Sequence, residues 1–167
     1  MPYTDHFRLA DDYISHLDKV MDTIGDPFIK SRYSGFLAIS AVTVYELALK
    51  NVFIDFANQT HHMLGVFTAN FFDRINGRIR VREIKEKYIQ NFGDKYLRSF
   101  ADGINRCEEE ILRNEGSSVI SCYENIITWR NSFAHEGRLP DTCTYEEVKR
   151  AYACGKHVLH CLDGAMR

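Results

Sequence analysis

The stretch that most restricts how this chain can fold is one in which apolar residues leave almost no polar face. Between Phe36 and Phe56, the residues Leu37, Ile39, Val42, Val44, Tyr45, Leu47, Leu49, Val52 and Phe53 would surround a helix on nearly every side. Asp26 and Pro27 offer a cap and a first turn, so the spacing predicts one helix from Phe28 to about Asn58. A helix that is apolar all round has to be covered all round. In a chain of 167 residues, the remaining segments must therefore pack about it as a bundle.

Those segments also read as helices. Phe7, Tyr13, Ile14, Leu17, Val20 and Met21 recur at helical spacing between Thr4 and Ile24, and Gly25 stops the run. His61, His62 and the Gly65 region form a bend before an apolar segment from Met63 to Phe72, and Asn76-Gly77 reads as a turn. Gly93-Asp94 opens a helix to about Asn114, with Tyr96, Leu97, Phe100, Ile104, Cys107, Ile111 and Leu112 on its apolar side. Gly116, Ser117 and Ser118 break the chain and cap the next helix. Pro140-Asp141 forms a loop, and Thr144-Tyr145-Glu146-Glu147 has the form of a capping box for a last helix to about Asp163. The expectation is one all-α domain over residues 1–167, an up-and-down bundle of four core helices with short extra helices.

Near the C-terminal end of the helix before that loop, the pattern breaks. Val119, Ile120, Tyr123, Ile126 and Ile127 make an apolar stripe, and Arg130 comes next on it, four residues after Ile126. A cation placed there needs partners. Glu124, Thr128, Asn131 and His135 form a polar edge beside the stripe, and Glu136-Gly137 ends the helix. The helix thus closes on a guanidinium, an amide and an imidazole. Glu46 is the second anomaly, a carboxylate between Tyr45 and Leu47 in the central helix. It calls for a cation, either Lys50 one turn on or Arg130, and the two partners imply opposite degrees of burial.

Charge bounds what such groups can do. The net charge of −2 argues against coating nucleic acid by bulk electrostatics, so any RNA contact must be local. Arg74, Arg78, Arg80, Arg82, Lys85 and Lys87 make the one locally positive region, and Arg78, Arg80 and Arg82 are the candidate RNA contacts, the alternative being a solvated face. Five cysteines at irregular spacing and no leader pattern at Met1 point to a reducing, cytoplasmic setting. No uninterrupted apolar run approaches bilayer length, so no membrane is expected.

Other constellations are weaker. Cys154, His157, His160 and Cys161 share the last helix, but Val148, Tyr152, Leu159 and Leu162 take its buried stripe, with the cysteines on its flanks, and one helix does not present four ligands as a tetrahedron. No metal site and no cofactor are expected. Arg150 and His157 share one face of that helix, the solvent side, with Ala151 where a polar residue would be needed. Cys122 reads as filler, and His6, His16, His61 and His62 have no partner legible in the sequence.

The run Arg130-Asn131, three residues, then His135, near the end of an amphipathic helix in an all-helical chain, resembles the R-x4-6-H motif of the HEPN superfamily. Its R-N-x-x-x-H form is most similar to the RiboL-PSP-HEPN and MAE-type branch. That resemblance implies a metal-independent endoribonuclease with Arg130, Asn131 and His135 as catalytic residues. Some branches resemble this chain in pairing an acid of the second helix, followed four residues later by a base, with the motif Arg. Glu46 and Lys50 stand in those positions, which favours a Glu46–Arg130 pair. The resemblance further implies a homodimer with a composite cleft, and a toxin or abortive phage-defence role with an antitoxin or sensor partner. The alternative is a non-catalytic binding module. Members controlled by nucleotidylation carry a Tyr two residues after the motif His, where this chain has Gly137.

Chemistry fits the resemblance. RNA carries its own nucleophile, the 2′-hydroxyl beside each phosphate. A protein need add only a base, an acid for the leaving 5′-oxygen, and positive charge for the phosphorane, giving a 2′,3′-cyclic phosphate and a 5′-hydroxyl. Imidazoles exchange protons near neutrality, and a guanidinium fork suits phosphate oxygens. One difficulty is geometric: five residues on an ideal helix set Arg130 and His135 about 140° apart.

Overall fold

Several helices in this chain begin where a side chain takes up the first free N–H groups. Asp26 accepts the Phe28 N–H at 2.8 Å, and Ser118 accepts the Ser121 N–H at 3.0 Å. The Thr144–Glu147 box closes from both sides, at 2.8 Å from the Thr144 N–H and 3.2 Å from the Glu147 N–H. His61 also caps, its Nδ1 accepting the Met63 N–H at 3.2 Å, which gives this histidine a structural task the sequence did not disclose.

A computed structural model describes residues 2–140 and 143–167. After a 3-10 turn over Tyr3–Phe7 come α1 (Arg8–Val20), α2 (Pro27–Thr60) and α3 (His62–Phe72). α4 (Val81–Glu83) is a single turn that widens into a π turn at Ile84–Tyr88 and tightens into a 3-10 turn at Ile89–Phe92. Then follow α5 (Asp94–Glu115), α6 (Val119–Glu136) and α7 (Tyr145–Ala165). Of the described residues, 85% are helical and none lies in a strand, so the all-α bundle is the observed fold. The loop expected at Pro140-Asp141 has its second residue outside the described residues.

α2 is the axis, touching α1, α3, α6 and α7, while α5 lies on α6 and α7. Leu37, Ala38, Ala41, Tyr45, Ala48, Leu49 and Phe53 along α2 are fully buried. By length and composition α2 could cross a membrane, with a mean hydropathy of 1.5 over its best 18-residue window, which qualifies the expectation that no segment here could. In the bundle 56% of that window is covered by protein.

Three tyrosines fix the centre. Tyr45 of α2 stacks on Tyr123 of α6 at 5.0 Å and on Tyr152 of α7 at 5.7 Å between ring centroids. The Tyr45 hydroxyl donates to the Tyr152 carbonyl at 2.5 Å, and the Tyr123 hydroxyl donates to the Ile79 carbonyl at 2.9 Å. Room for this stack comes from Gly155, where a Cβ would stand 2.5 Å from the Tyr45 oxygen. Each buried hydroxyl thus has a partner, as burial requires.

Cys154 is buried, not on a flank as the wheel of α7 predicts, and it shares this interior with Cys122. Burial pushes the thiols of Cys143, Cys154 and Cys161 up to about 12, and it raises Cys122 as well. The thiolate is the reacting form, so a raised pKa suppresses it at neutral pH. Alkylation of these cysteines by iodoacetamide at pH 8 is expected to be slow in the folded protein and to accelerate sharply in denaturant. Fast labelling of native protein at Cys154 would contradict the packing.

Candidate active site

α6 carries the motif residues on one uninterrupted helix, ended by Gly137 in the left-handed region at φ 70°. Tyr123, Ile126, Ile127 and Phe133 are buried and orient it, with Phe133 against Gly35 and 5.3 Å from Phe36. Trp129, the chain's one tryptophan, is half-buried against the core. Arg130 and Asn131 are half-buried, and His135 is exposed. Neither motif side chain is sealed from solvent.

The segment between α3 and α4 is laid across α6 by polar contacts. Arg80 donates to Glu124 and, at 3.2 Å, to Thr128, while the Val81 N–H donates to Glu124 at 2.9 Å. Farther along, the Tyr88 hydroxyl donates to the Arg78 carbonyl at 2.5 Å. In the same segment, the Asn76-Gly77 turn lies against Arg130, in the C-terminal half of α6. Asn76 and Gly77 both take positive φ, 46° and 75°, as their sequence predicts for a tight turn.

The favoured Glu46–Arg130 pair is not formed. Glu46 takes the Lys50 ammonium at 2.8 Å, and its other oxygen accepts the Gly77 N–H at 2.6 Å. Glu46 and Lys50 are 21% and 20% exposed, so the local pair forms without leaving the protein's interior edge. What separates Glu46 from Arg130 is the Gly77 turn itself. A Cβ at Gly77 would stand 2.0 Å from Arg130 Nη2, so the guanidinium rests directly on this glycine. Among the described residues, no carboxylate lies within 4.0 Å of Arg130. Arg130 is therefore a half-buried cation on a backbone shelf, not the fully buried one the stripe implies.

The basic cluster divides by partner. Arg80 is engaged with Glu124, and Arg82 lies 3.8 Å from Glu86 on an exposed face. Arg78 is exposed and, among the described residues, has no ion pair, and it follows Gly77 directly in the chain. Arg78 and Arg130 thus flank one turn, whereas His135 lies more than one helical turn farther along α6. Glu124, Thr128 and Gly77 belong to this site although the sequence did not single them out as a group. Asn-Gly signals a positive-φ turn, but which side chain crosses that turn is decided by the non-local docking of the segment on α6.

A family model described as RiboL-PSP-HEPN matches residues 5–167. No curated protein and no solved structure matches.

Proposed function

We propose, from the premise that this chain belongs to the RiboL-PSP-HEPN family, that it is a metal-independent endoribonuclease. HEPN-type domains are often ribonucleases or nucleotide-binding proteins. The observation that carries the reading is the pair Arg130 and His135 on α6, one a cation without a carboxylate partner within 4.0 Å among the described residues, the other exposed to solvent. A cation already neutralised would add little to a phosphorane, and a buried imidazole could not meet a polynucleotide.

In this reading Arg130 donates to the non-bridging phosphate oxygens and stabilises the pentacoordinate charge. His135 takes the proton of the 2′-hydroxyl or delivers one to the leaving 5′-oxygen, and Asn131 holds the substrate or steers the imidazole. The products are a 2′,3′-cyclic phosphate and a 5′-hydroxyl. Arg78, and more weakly Arg80 and Arg82 because of their partners, bind the flanking phosphates. Since Arg130 and His135 leave α6 about 140° apart, one chain offers half a site. A two-fold homodimer would supply a second His135 to act as acid where the first acts as base. The biological role we assign is that of a cytoplasmic toxin or phage-defence effector held by an antitoxin or sensor protein. With Gly137 at the position two beyond His135, control by nucleotidylation of a Tyr there does not apply.

One observation favours a second reading. Arg130 packed on Gly77 could be a strut in a non-catalytic dimerisation module, with His135 set at the negative end of the α6 dipole. Incubating purified protein with total RNA in EDTA and mapping the ends separates the two. Cuts ending in cyclic phosphate are expected; intact RNA over a range of protein concentrations would favour the binding module.

A further inference from the structure

Glu46 and Arg130 face the same two-residue turn from opposite sides. From α2, the Glu46 carboxylate grips the Gly77 N–H at 2.6 Å, and Lys50 fixes that carboxylate at 2.8 Å. From α6, the Arg130 guanidinium lies where a Gly77 side chain would begin, 2.0 Å from an ideal Cβ. The turn keeps φ values of 46° and 75° at Asn76 and Gly77, a conformation glycine adopts without strain. With no carboxylate within 4.0 Å among the described residues, the Arg130 guanidinium takes its direction from packing, and what it packs on is this turn. The Glu46 carboxylate thus holds, from the α2 side, the backbone on which Arg130 rests.

We infer that Gly77, held by Glu46, is the positioning residue for Arg130: the α2 acid acts on the motif arginine through a backbone N–H and leaves the guanidinium charge free for a phosphate. The arrangement resolves a conflict in the chemistry. Direct pairing with Glu46 would fix Arg130 but would also neutralise it, whereas a glycine shelf fixes it by shape. The kinetic part of this inference rests on the nuclease reading; the structural part does not.

The test compares two glycines. Gly116 also has positive φ, 66°, and a Cβ there meets nothing within 4 Å. Gly116→Ala therefore carries similar backbone strain without touching Arg130, and Gly77→Ala adds the collision. The reporter is the Arg130 side-chain Nε–H signal in a nitrogen–proton correlation spectrum, identified by its absence in Arg130→Lys. The signal is expected to move or broaden in Gly77→Ala and in Glu46→Met, which removes the acceptor, and to stay in place in Gly116→Ala. Glu46→Gln, which keeps an acceptor oxygen, is expected to retain it. On RNA, Gly77→Ala and Glu46→Met should lower kcat about 100-fold with KM changed by less than about threefold, the pattern of a misplaced group that acts in the transition state.

An Arg130 signal unmoved in both Gly77→Ala and Glu46→Met would overturn the inference, as would an equal effect of Gly116→Ala. If Gly77→Ala does not fold, Glu46→Met and Glu46→Gln decide alone. If the wild type cuts no RNA yet the signal responds as described, the positioning role stands and the nuclease reading falls.

Discussion

Replacing His135 with alanine, or Arg130 with alanine, is expected to reduce RNA cleavage by about 1,000-fold or more while leaving the fold intact. The first half follows from roles: a proton-transfer group contributes about 100- to 10,000-fold, and a charge on the developing phosphorane a comparable factor. The second half follows from burial. His135 is exposed and Arg130 half-buried, with no carboxylate within 4.0 Å among the described residues, so truncation leaves no buried charge behind. Both variants should therefore melt within a few degrees of the wild type and keep its oligomeric state, as measured by circular dichroism and light scattering. If, as proposed, the two residues act on one transition state, the double variant should fall little below either single one. Full activity in His135→Ala would remove the nuclease reading.

The largest loss of stability is expected far from that site, in Tyr45→Ala. This ring is fully buried between Tyr123 and Tyr152, and its hydroxyl holds the Tyr152 carbonyl at 2.5 Å. Truncating a buried aromatic costs about 3–5 kcal/mol, because the cavity collapses only in part. For a chain of this size, that lowers the melting temperature by roughly 6–20 °C. Tyr45→Phe keeps the ring and loses the hydrogen bond, at about 1 kcal/mol. Equal melting of Tyr45→Ala and wild type would mean that α2, α6 and α7 are not held by this stack.

Much of the fold was legible because helices are set by local rules. The starts of α5, α6 and α7 and the ends of α5 and α6 follow from Gly93, Gly116, Ser118, Gly137 and the Thr144–Glu147 box, all within a turn of the residues they govern. The central place of α2 follows from its composition alone. The motif on α6 was legible for the same reason, since its residues lie on one helix. Less legible was everything that depends on two segments meeting. The local rule favouring Glu46 with Lys50 competed with the Glu46–Arg130 pair that the resemblance favoured, and the outcome turned on a loop 31 residues away from Glu46. The division of Arg78 from Arg80 likewise depends on Glu124, 44 residues on. Nor does any periodicity announce the π turn at Ile84–Tyr88, which widens the backbone so that Ile84, Tyr88 and Ile89 all reach the core.

Trp129 stands one residue before Arg130, half in the core and half at its edge, and the chain has no second indole. Its emission is therefore an intrinsic optical signal from the motif helix, readable in unlabelled protein. A polynucleotide or a second subunit closing over that edge would change the polarity around the ring and could be titrated by fluorescence before any bond is cut.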